Sequence, residues 1–268
     1  MKIATFNING IKARAQALLD WLDEAQPDVV LLQEIKSVDE GFPAEPFEDR
    51  GYNVATHGQK SFNGVAILSK LPLEDVVRGL PGDDGDEQAR WIEATVVGQR
   101  ALRICGLYLP NGNPVELDDD GQPVAGGKYA YKLAWMARLR ARAADLLAAE
   151  EPALMAGDYN IIPQAEDAAR PEAWREDALF RLTSREAWRR VLNLGFTEAI
   201  RTRDPAPSLY SFWDYQAGAW AKNNGIRIDH LLLTPQAADL LTGTGIDKQI
   251  RGRDKPSDHV PAWIELDL

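Results

Sequence analysis

The residues best suited to chemistry in this chain lie at the ends of its apolar runs. KIATF ends at Asn7, VVLLQ ends at Glu34, and RICGL is followed by Tyr108. Further polar residues flank the later runs, namely Asp158, Asn160, Asp229, Asp258 and His259. Each alone has an ordinary structural explanation as a turn former, a strand cap or a core side chain. Their repeated placement at run ends predicts instead one shared functional site.

The oxygen-rich side chains in this set favour a hard divalent cation. Glu34, Asp258 and Asn7 carry carboxylate or amide oxygens, which suit Mg²⁺ or Mn²⁺. Zinc is disfavoured because the chain has 3 histidines and none stands in paired ligand spacing. A hard cation beside an acid and a histidine is typical of phosphoester hydrolysis. There the metal neutralises phosphate charge while a carboxylate or imidazole activates water.

Signatures of several other enzyme classes are missing from the sequence. It contains no glycine-rich phosphate loop of the P-loop or dinucleotide type and no GxSxG elbow, so kinases, dehydrogenases and serine hydrolases are disfavoured. The only cysteine, Cys105, excludes an internal disulfide and a cysteine-rich zinc site. It lies in the apolar run ALRICGLYL and is predicted to be a buried thiol.

The composition is that of a globular protein, with 268 residues, 45% hydrophobic and 26% charged. No run approaches the roughly 18 apolar residues of a membrane span, and no hydrophobic leader precedes the first strand. We therefore expect a cytoplasmic protein without a membrane partner. The net charge of −11 argues against a polyanionic partner, but it is concentrated in segments 83–87 and 116–120, which are predicted to be solvated loops.

Short strands and a few longer helices must position the candidate residues. Apolar or alternating runs predict strands at KIATFN, PDVVLLQE, YNVATH, GVAILS, RWIEATVV, ALRICGLYLP, PALMAGDYN, RIDHLLLT and VPAWIELDL. The strands fall in blocks on either side of one long helical segment. This distribution predicts an α/β fold with two sheets packed face to face and helices outside, in one domain over residues 1–268.

Three helices are predicted from 3.6-residue spacing. The first begins near Ile11 and ends before Pro27, and the second covers Tyr131–Glu150. The third is predicted to open with a capping box at Thr183 and to stop at Gly195.

Six strings in this sequence resemble those of a known family: TFNING, LLQEIK, GLYLPNG, MAGDYNIIP, RIDHLLL and KPSDHVPAW. Together they are similar to the exonuclease III family of apurinic/apyrimidinic endonucleases, within the endonuclease/exonuclease/phosphatase superfamily. The resemblance runs nearly end to end and keeps the motif order. It implies a DNase-I-like, four-layer αββα sandwich of two mixed sheets flanked by helices. It also implies a metal-dependent phosphodiesterase of base-excision repair that cuts duplex DNA 5′ to abasic sites and trims 3′ ends as an exonuclease and 3′-phosphatase.

The resemblance implies a catalytic role for Tyr108, Asp158, Asn160, Asp229 and His259. Asp158 matches the acid that orients or deprotonates the attacking water, and Asn160 matches the amide that holds it. Tyr108 matches a phenol near the scissile phosphate. His259, held by Asp229, matches an imidazole that contacts that phosphate.

The resemblance also implies a metal site, for Mg²⁺ with Mn²⁺ as an alternative, formed by Glu34, Asn7, Asp258, Asp158 and Asn160. Glu34 would be the main ligand, with Asn7 and Asp258 flanking the centre. Two further positions would contact DNA. Asn111 matches a phosphate-contacting residue, and Lys36 follows Glu34 where a base could support the acid or reach the DNA backbone.

An apolar pocket for a flipped abasic sugar is implied at Phe212, Ile226 and Ile228, with Trp220 nearby. Ordinary core packing of Phe212 and Ile228 is the competing explanation. Ile226 stands where some relatives have a large aromatic residue, so the balance between abasic cleavage and exonuclease activity stays open.

The acidic segment 116–120 departs from what a phosphate-tracking surface needs, because such surfaces depend on lysine and arginine. We expect it to point away from DNA or to bind metal weakly. The expected partner is double-stranded DNA with abasic sites or 3′ ends, bound by a monomer. The alternatives are a phosphatase of phosphoinositides or nucleotides, another phosphodiesterase of the same superfamily, and a catalytically inactive DNA-binding or scaffold protein.

Overall fold

The computed structural model describes all residues 1–268 and contains twelve strands and six α-helices. The strands are β1 (Lys2–Asn7), β2 (Val29–Gln33), β3 (Asn53–His57), β4 (Val65–Ser69), β5 (Leu73–Arg78), β6 (Trp91–Val97), β7 (Ala101–Tyr108), β8 (Ala153–Asp158), β9 (Thr197–Glu198), β10 (Asp229–Leu233), β11 (Leu241–Ile246) and β12 (Ala262–Leu266). The helices are α1 (Ile11–Ala25), α2 (Glu45–Glu48), α3 (Lys128–Ala148), α4 (Leu182–Leu192), α5 (Ala199–Arg203) and α6 (Pro235–Ala238).

The strands form two six-stranded mixed sheets. The first has the order β11-β12-β1-β2-β4-β3 and the second has the order β5-β6-β7-β8-β10-β9. One parallel pair lies in the middle of each sheet, β1 with β2 and β7 with β8. The central strands are covered on both faces, which explains why they are continuous apolar runs rather than alternating ones. All five residues of β2 are buried, for example.

Three apolar clusters build the four layers. Between the sheets, side chains such as Leu31 and Ile104 form the central core. The outer face of the first sheet packs against α1, which contributes Trp21. The outer face of the second sheet packs against α3 and α4 through Trp135 and Trp188. The fold is therefore the αββα sandwich that was expected, with the helices outside.

Three strands, β5, β9 and β11, were not predicted from the sequence. All three lie at the edge of a sheet. In β5 and β11 no residue is fully buried, and β9 has only two residues. An edge strand packs less apolar surface than a central one, so it lacks the run of hydrophobic residues by which the others were found.

The helix boundaries differ from the predictions in two helices. Helix α3 spans Lys128–Ala148 rather than Tyr131–Glu150, and α4 ends at Leu192, before the predicted stop at Gly195. The capping box at Thr183 is wrong, because α4 already begins at Leu182 and its N-cap residue, Arg181, makes no side-chain cap. Thr183 is inside the first turn, where it cannot cap.

One acidic segment is less solvated than expected. In segment 83–87, Asp86 forms an ion pair with Arg138 and accepts a hydrogen bond from Tyr131, so the prediction was wrong for this residue. Segment 116–120 is exposed throughout. Cys105 is buried, as predicted. No helix has the length and apolar character required to cross a membrane.

Candidate active site

The candidate site lies at one end of both sheets, because the strands that carry it begin or end there. In the first sheet, β1 ends at Asn7 and Glu34 directly follows its parallel neighbour β2. In the second sheet, Tyr108 and Asp158 are opposite one another at the ends of β7 and β8. Asp229 begins β10 and pairs with Asp158 across an antiparallel ladder. Face-to-face packing of the sheets then brings the two sets together.

An imidazole lies between two buried carboxylates at the centre of the site. His259 Nδ1 donates to Asp229 Oδ2 at 2.8 Å, and its Nε2 lies 3.6 Å from Asp158 Oδ2. Ser211 Oγ donates to the same Asp229 oxygen at 2.6 Å and accepts the backbone N–H of Asp229. Asp229 Oδ1 is buried without a hydrogen-bond partner. The ring is thus fixed through Nδ1, which leaves Nε2 as the free donor.

Burial and the charges of neighbouring residues shift the pKa values of Asp158 and His259. Burial raises the pKa of Asp158 to about 7, with His259 opposing and Asp229 reinforcing the rise. Burial disfavours the charge on His259, but the carboxylates of Asp229 and Asp158 outweigh it and raise its pKa to about 10. At neutral pH the imidazole is therefore a charged donor, and Asp158 is a carboxyl group poised to exchange a proton.

Asn7 connects the two halves of the site. Its side-chain amide donates to Glu34 Oε1 and to Asp158 Oδ2, each at 2.9 Å. Its own oxygen accepts the backbone N–H of Asn9 at 3.0 Å. Asn9 in turn donates to Asp258 Oδ1 at 3.0 Å. In this arrangement Asn7 orients the carboxylates of Glu34 and Asp158, and its side-chain oxygen is already hydrogen-bonded to Asn9.

The residues present fit a divalent cation of the magnesium type. No three acidic, imidazole or thiol side chains form a metal-binding cluster by themselves. Mg²⁺ does not need such a cage, since it commonly binds one or two carboxylates and completes its shell with waters and substrate phosphate. Burial raises the pKa of Glu34, but hydrogen bonds from Lys36 and Asn7 outweigh this and lower it overall, so the carboxylate is ionised. Lys36 lies 2.9 Å from Glu34 Oε2 and would compete with a cation for that oxygen.

Four of the thirteen non-glycine residues with positive φ lie around these side chains. Asn9, Glu34, Lys36 and Asn160 all have positive φ, between 47° and 51°. Non-glycine residues adopt this conformation at a cost and keep it only where neighbours hold them. Backbone bonds from Ile35 and Lys36 to the loop before β4 hold the segment after β2. The site is thus built from turns that side chains and loops constrain.

Tyr108 and Asn160 complete the polar surface on the second sheet. Burial raises the pKa of Tyr108 well above its usual value, and Glu34 and Asp158 add to the effect, so the phenol is a neutral donor. Asn160 donates its backbone N–H to Asp158 Oδ1 at 2.9 Å. Its side-chain oxygen accepts a hydrogen bond from Asn111 at 3.2 Å, which places Asn111 at the rim of the site.

Only part of the predicted apolar pocket is accessible from the cleft. The ring of Phe212 packs edge-on against His259, with the ring centroids 5.0 Å apart. Ile226 and Ile228 are each 2% exposed and form a small core cluster that Phe212 covers. Trp220 belongs to a different cluster, where it packs against Trp213 at 5.0 Å. The structure therefore brings Phe212 to the site, places the isoleucines behind it, and does not bring Trp220 into that cluster.

Two supporting residues were missed by the sequence reasoning. Ser211 lies in an irregular segment, and although its neighbour Phe212 was predicted to belong to the site, no pattern indicated a role for the serine itself. Lys132 is fully buried on α3, and burial lowers its pKa to about 7 against the opposing effect of Asp177 and Asp158. A signal for Lys132 did exist. It falls on the same helical face as Tyr129, Met136 and Leu139, where a lysine is out of place.

Comparison with known proteins gives consistent results. A profile of the Endonuclease/Exonuclease/phosphatase family matches residues 4–259. Exodeoxyribonuclease III of Haemophilus influenzae is 35% identical over 274 residues, covering 99% of this chain and 100% of the relative. An AP endonuclease structure from Archaeoglobus fulgidus superposes with a TM-score of 0.90 at 34% identity and full coverage of both chains. The 3′ phosphatase NExo from Neisseria, solved with a product DNA hairpin, superposes with a TM-score of 0.92 at 33% identity, again with full coverage. The chain belongs to the exonuclease III group of the endonuclease/exonuclease/phosphatase family.

Proposed function

We propose that this protein is a divalent-metal-dependent DNA phosphodiesterase of base-excision repair, which cleaves 5′ to abasic sites and trims 3′ ends as an exonuclease and 3′-phosphatase. The observation that carries the proposal is the convergence of Glu34, Asp158 and the Asp229-paired His259 from both sheets. The related exodeoxyribonuclease III, AP endonuclease and 3′ phosphatase support the same chemistry on DNA.

His259 is proposed to bind the scissile phosphate. Because its pKa is raised to about 10, the ring carries a charge at neutral pH. Asp229 holds Nδ1–H at 2.8 Å, so Nε2–H is free to donate to a phosphate oxygen. A donor already aimed at an oxygen that gains charge in the transition state contributes about 3 kcal/mol to catalysis. Tyr108, a neutral phenol beside this group, is proposed to donate to the same phosphate.

Asp158 is proposed to orient the attacking water and to accept its proton. One of its oxygens is held by the backbone N–H of Asn160 and the other by the amide of Asn7. With a pKa raised to about 7, this carboxyl group can gain and lose a proton near neutral pH. Asn160 is proposed to hold the same water with its side chain.

We propose Mg²⁺ as the metal, with Mn²⁺ as an alternative, since membership in this family implies dependence on a divalent metal. Glu34 would be the main ligand, with Asn7 and Asp258 flanking the centre and Asp158 and Asn160 as further ligands. Bound there, the cation supplies charge neutralisation for the phosphate oxygens. Glu34 itself is kept ionised for this role.

DNA contacts are proposed at the rim of the site. Lys36 and Asn111 are proposed to contact backbone phosphates; Lys36 lies beside Glu34 and Asn111 beside Asn160, which supports this proposal. Phe212, backed by Ile226 and Ile228, is the proposed wall for an extruded abasic sugar. Trp220 packs elsewhere, so a contribution to this wall would have to be indirect.

One gel assay tests the proposal. Three duplexes, with an abasic site, a recessed 3′ end and a 3′-phosphate, are incubated with the protein and Mg²⁺, beside an inositol phosphate. We expect cleavage 5′ to the abasic site and shortening or dephosphorylation of the 3′ ends, all abolished by a chelator. Release of phosphate from the inositol compound with intact DNA would favour the phosphatase alternative. A single domain, a monomeric state and a cytoplasmic location remain predictions.

A further inference from the structure

Lys132 is a buried lysine without an ion-pair partner. It is 0% exposed on α3, beneath the loops that follow β7 and β8. Its ammonium group donates to two backbone carbonyls, Asn160 O at 2.6 Å and Asn111 O at 3.0 Å. Lysine is almost never fully buried unless its charge is compensated. Here the compensation comes from the carbonyl groups of two residues of the candidate site.

These two carbonyls belong to the turns that carry the polar side chains of the second sheet. Asn160 has φ of +47°, a conformation that its neighbours must maintain. Its side chain donates to Leu109 O at 2.9 Å and accepts from Asn111 at 3.2 Å. Its backbone N–H donates a hydrogen bond to Asp158 Oδ1 at 2.9 Å. Lys132 therefore contacts one of the two residues, Asn160 and Asn7, that orient the proposed water-activating carboxylate.

The packing around the lysine stem is close. Gly112, with φ of +90°, approaches so near that a Cβ atom there would lie 2.6 Å from Lys132 Cδ. A side chain at residue 112 would push either the loop or the lysine away. The Asn111–Gly112 turn thus rests directly on Lys132, and a single ammonium group joins this turn to that of Asn160.

We infer that Lys132 is a positioning residue that holds the turns after β7 and β8 together, so that Asn160 keeps Asp158 in its reactive orientation. The inference rests on the proposed phosphodiesterase function. Lys132 lies behind the turns, not in the cleft, and acts through Asn160. Its loss is expected to reduce the rate of the chemical step more than it reduces DNA binding.

The experiment compares Lys132→Met with Lys128→Met, a matched substitution of an exposed lysine at the start of the same helix. Turnover and KM are measured on an abasic duplex with Mg²⁺. Since small misplacements of catalytic groups cost up to about 100-fold, we expect kcat of Lys132→Met to fall about 10- to 100-fold with KM changed less than about threefold. Lys128→Met should match the unchanged protein. Unchanged kcat in Lys132→Met would overturn the inference, whereas inactivity of the unchanged protein and of Lys128→Met would instead overturn the proposed function.

A double-substitution cycle separates positioning from mere destabilisation. If Lys132 acts by keeping Asp158 in place through the backbone of Asn160, then Lys132→Met should add little to the loss already caused by Asp158→Ala. Losses that multiply would overturn the inference. Circular dichroism and Tm establish that each variant is folded. If Lys132→Met does not fold, two other substitutions replace it in the same cycle. Lys132→Gln keeps an amide donor, and Gly112→Ala displaces the lysine stem. Losses that do not add to each other would support the inference, and losses that multiply would overturn it.

Discussion

Two buried charged clusters meet at neighbouring residues of β10 and behave differently. Asp229 faces the cleft and belongs to the cleft cluster, which also contains His259 and Asp158. His230, the next residue, points to the other side of the strand. It joins a second cluster, which we call the arginine cluster, composed of Arg227, Asp167, Glu198, Arg201 and His230.

The arginine cluster is balanced. Arg227 donates to Asp167 at 2.8 Å and to Glu198 at 2.9 Å. Burial raises the pKa of Glu198, but the charge of Arg227 and bonds to His230 and Arg201 outweigh it and lower the pKa to about 2. Each acid therefore has a cationic partner, so its ionised form is the stable one. This is the pattern of a cluster that stabilises structure.

The cleft cluster is not balanced. It has two carboxylates and one imidazole, and Asp229 Oδ1 has no hydrogen-bond partner. The pKa of Asp158 is therefore raised to about 7, mainly by burial, instead of lowered. The comparison shows that similar residue types give stability where every charge is paired and reactivity where one is left over. Four predictions test this difference between the two clusters.

The largest expected effect is on stability. Arg227→Met leaves the buried carboxylate of Glu198 without its main cationic partner. An uncompensated buried charge is costly, so this substitution should lower the free energy of unfolding by about 3–5 kcal/mol. Urea unfolding measures the change. The control is Arg175→Met, whose ion pair with Glu172 is solvent-exposed and should contribute less than about 1 kcal/mol. Equal losses in both variants would show that the arginine cluster is not a stabilising unit.

The second prediction concerns acid pH. The pKa of Glu198 falls from 4.5 to about 2 on folding, so its contribution is present above pH 4.5 and is lost as the pH falls towards 2. The shift corresponds to stabilisation on the order of 3 kcal/mol. Glu198→Gln should therefore be less stable than the unchanged protein near neutral pH, and the difference should shrink as the pH falls. A difference in unfolding free energy that does not vary with pH would contradict the assignment.

The third prediction concerns turnover. His259→Ala should lose about 100-fold in kcat, equivalent to about 2.7 kcal/mol, while still binding abasic DNA, because it removes a donor aimed at the phosphate. His230→Gln, in the arginine cluster, should keep its kcat and lose stability. Steady-state kinetics and thermal unfolding measure the two effects. Near-normal kcat in His259→Ala would remove this residue from the mechanism.

The smallest expected effect concerns the metal. Glu34→Gln removes the ionised oxygen while keeping the size of the side chain, and should raise the Mg²⁺ concentration for half-maximal activity about tenfold or more, since ligands of this kind dominate magnesium affinity. Lys36→Met removes the ammonium group that competes for Glu34 Oε2. This substitution should therefore lower the Mg²⁺ concentration for half-maximal activity, measured at saturating DNA. An unchanged metal requirement in Glu34→Gln would place the cation elsewhere.

Much of the fold and part of the candidate site were predictable from local patterns. The nine strands with apolar or alternating runs were found, and the edge strands β5, β9 and β11 were not, because little of their surface is buried. Polar residues at strand ends were correctly expected to meet, since the ends of neighbouring strands share one edge. Ser211 was not foreseeable, because its role depends on a partner 18 residues away. Trp220 was expected beside Phe212, but packing against Trp213 took it to another cluster.

Local sequence patterns are enough to identify which reactive groups are available and roughly where they lie, because hydrophobic periodicity is local and strand ends follow from it. The pairing of charges, in contrast, depends on tertiary packing. Asp229 and His230 are adjacent in the chain, yet alternation along β10 sends one to an unbalanced cleft and the other to a balanced cluster. Proton affinity depends on burial and on neighbours distant in sequence, so the reactive character of Asp158 and His259 emerges only once the two sheets are packed together.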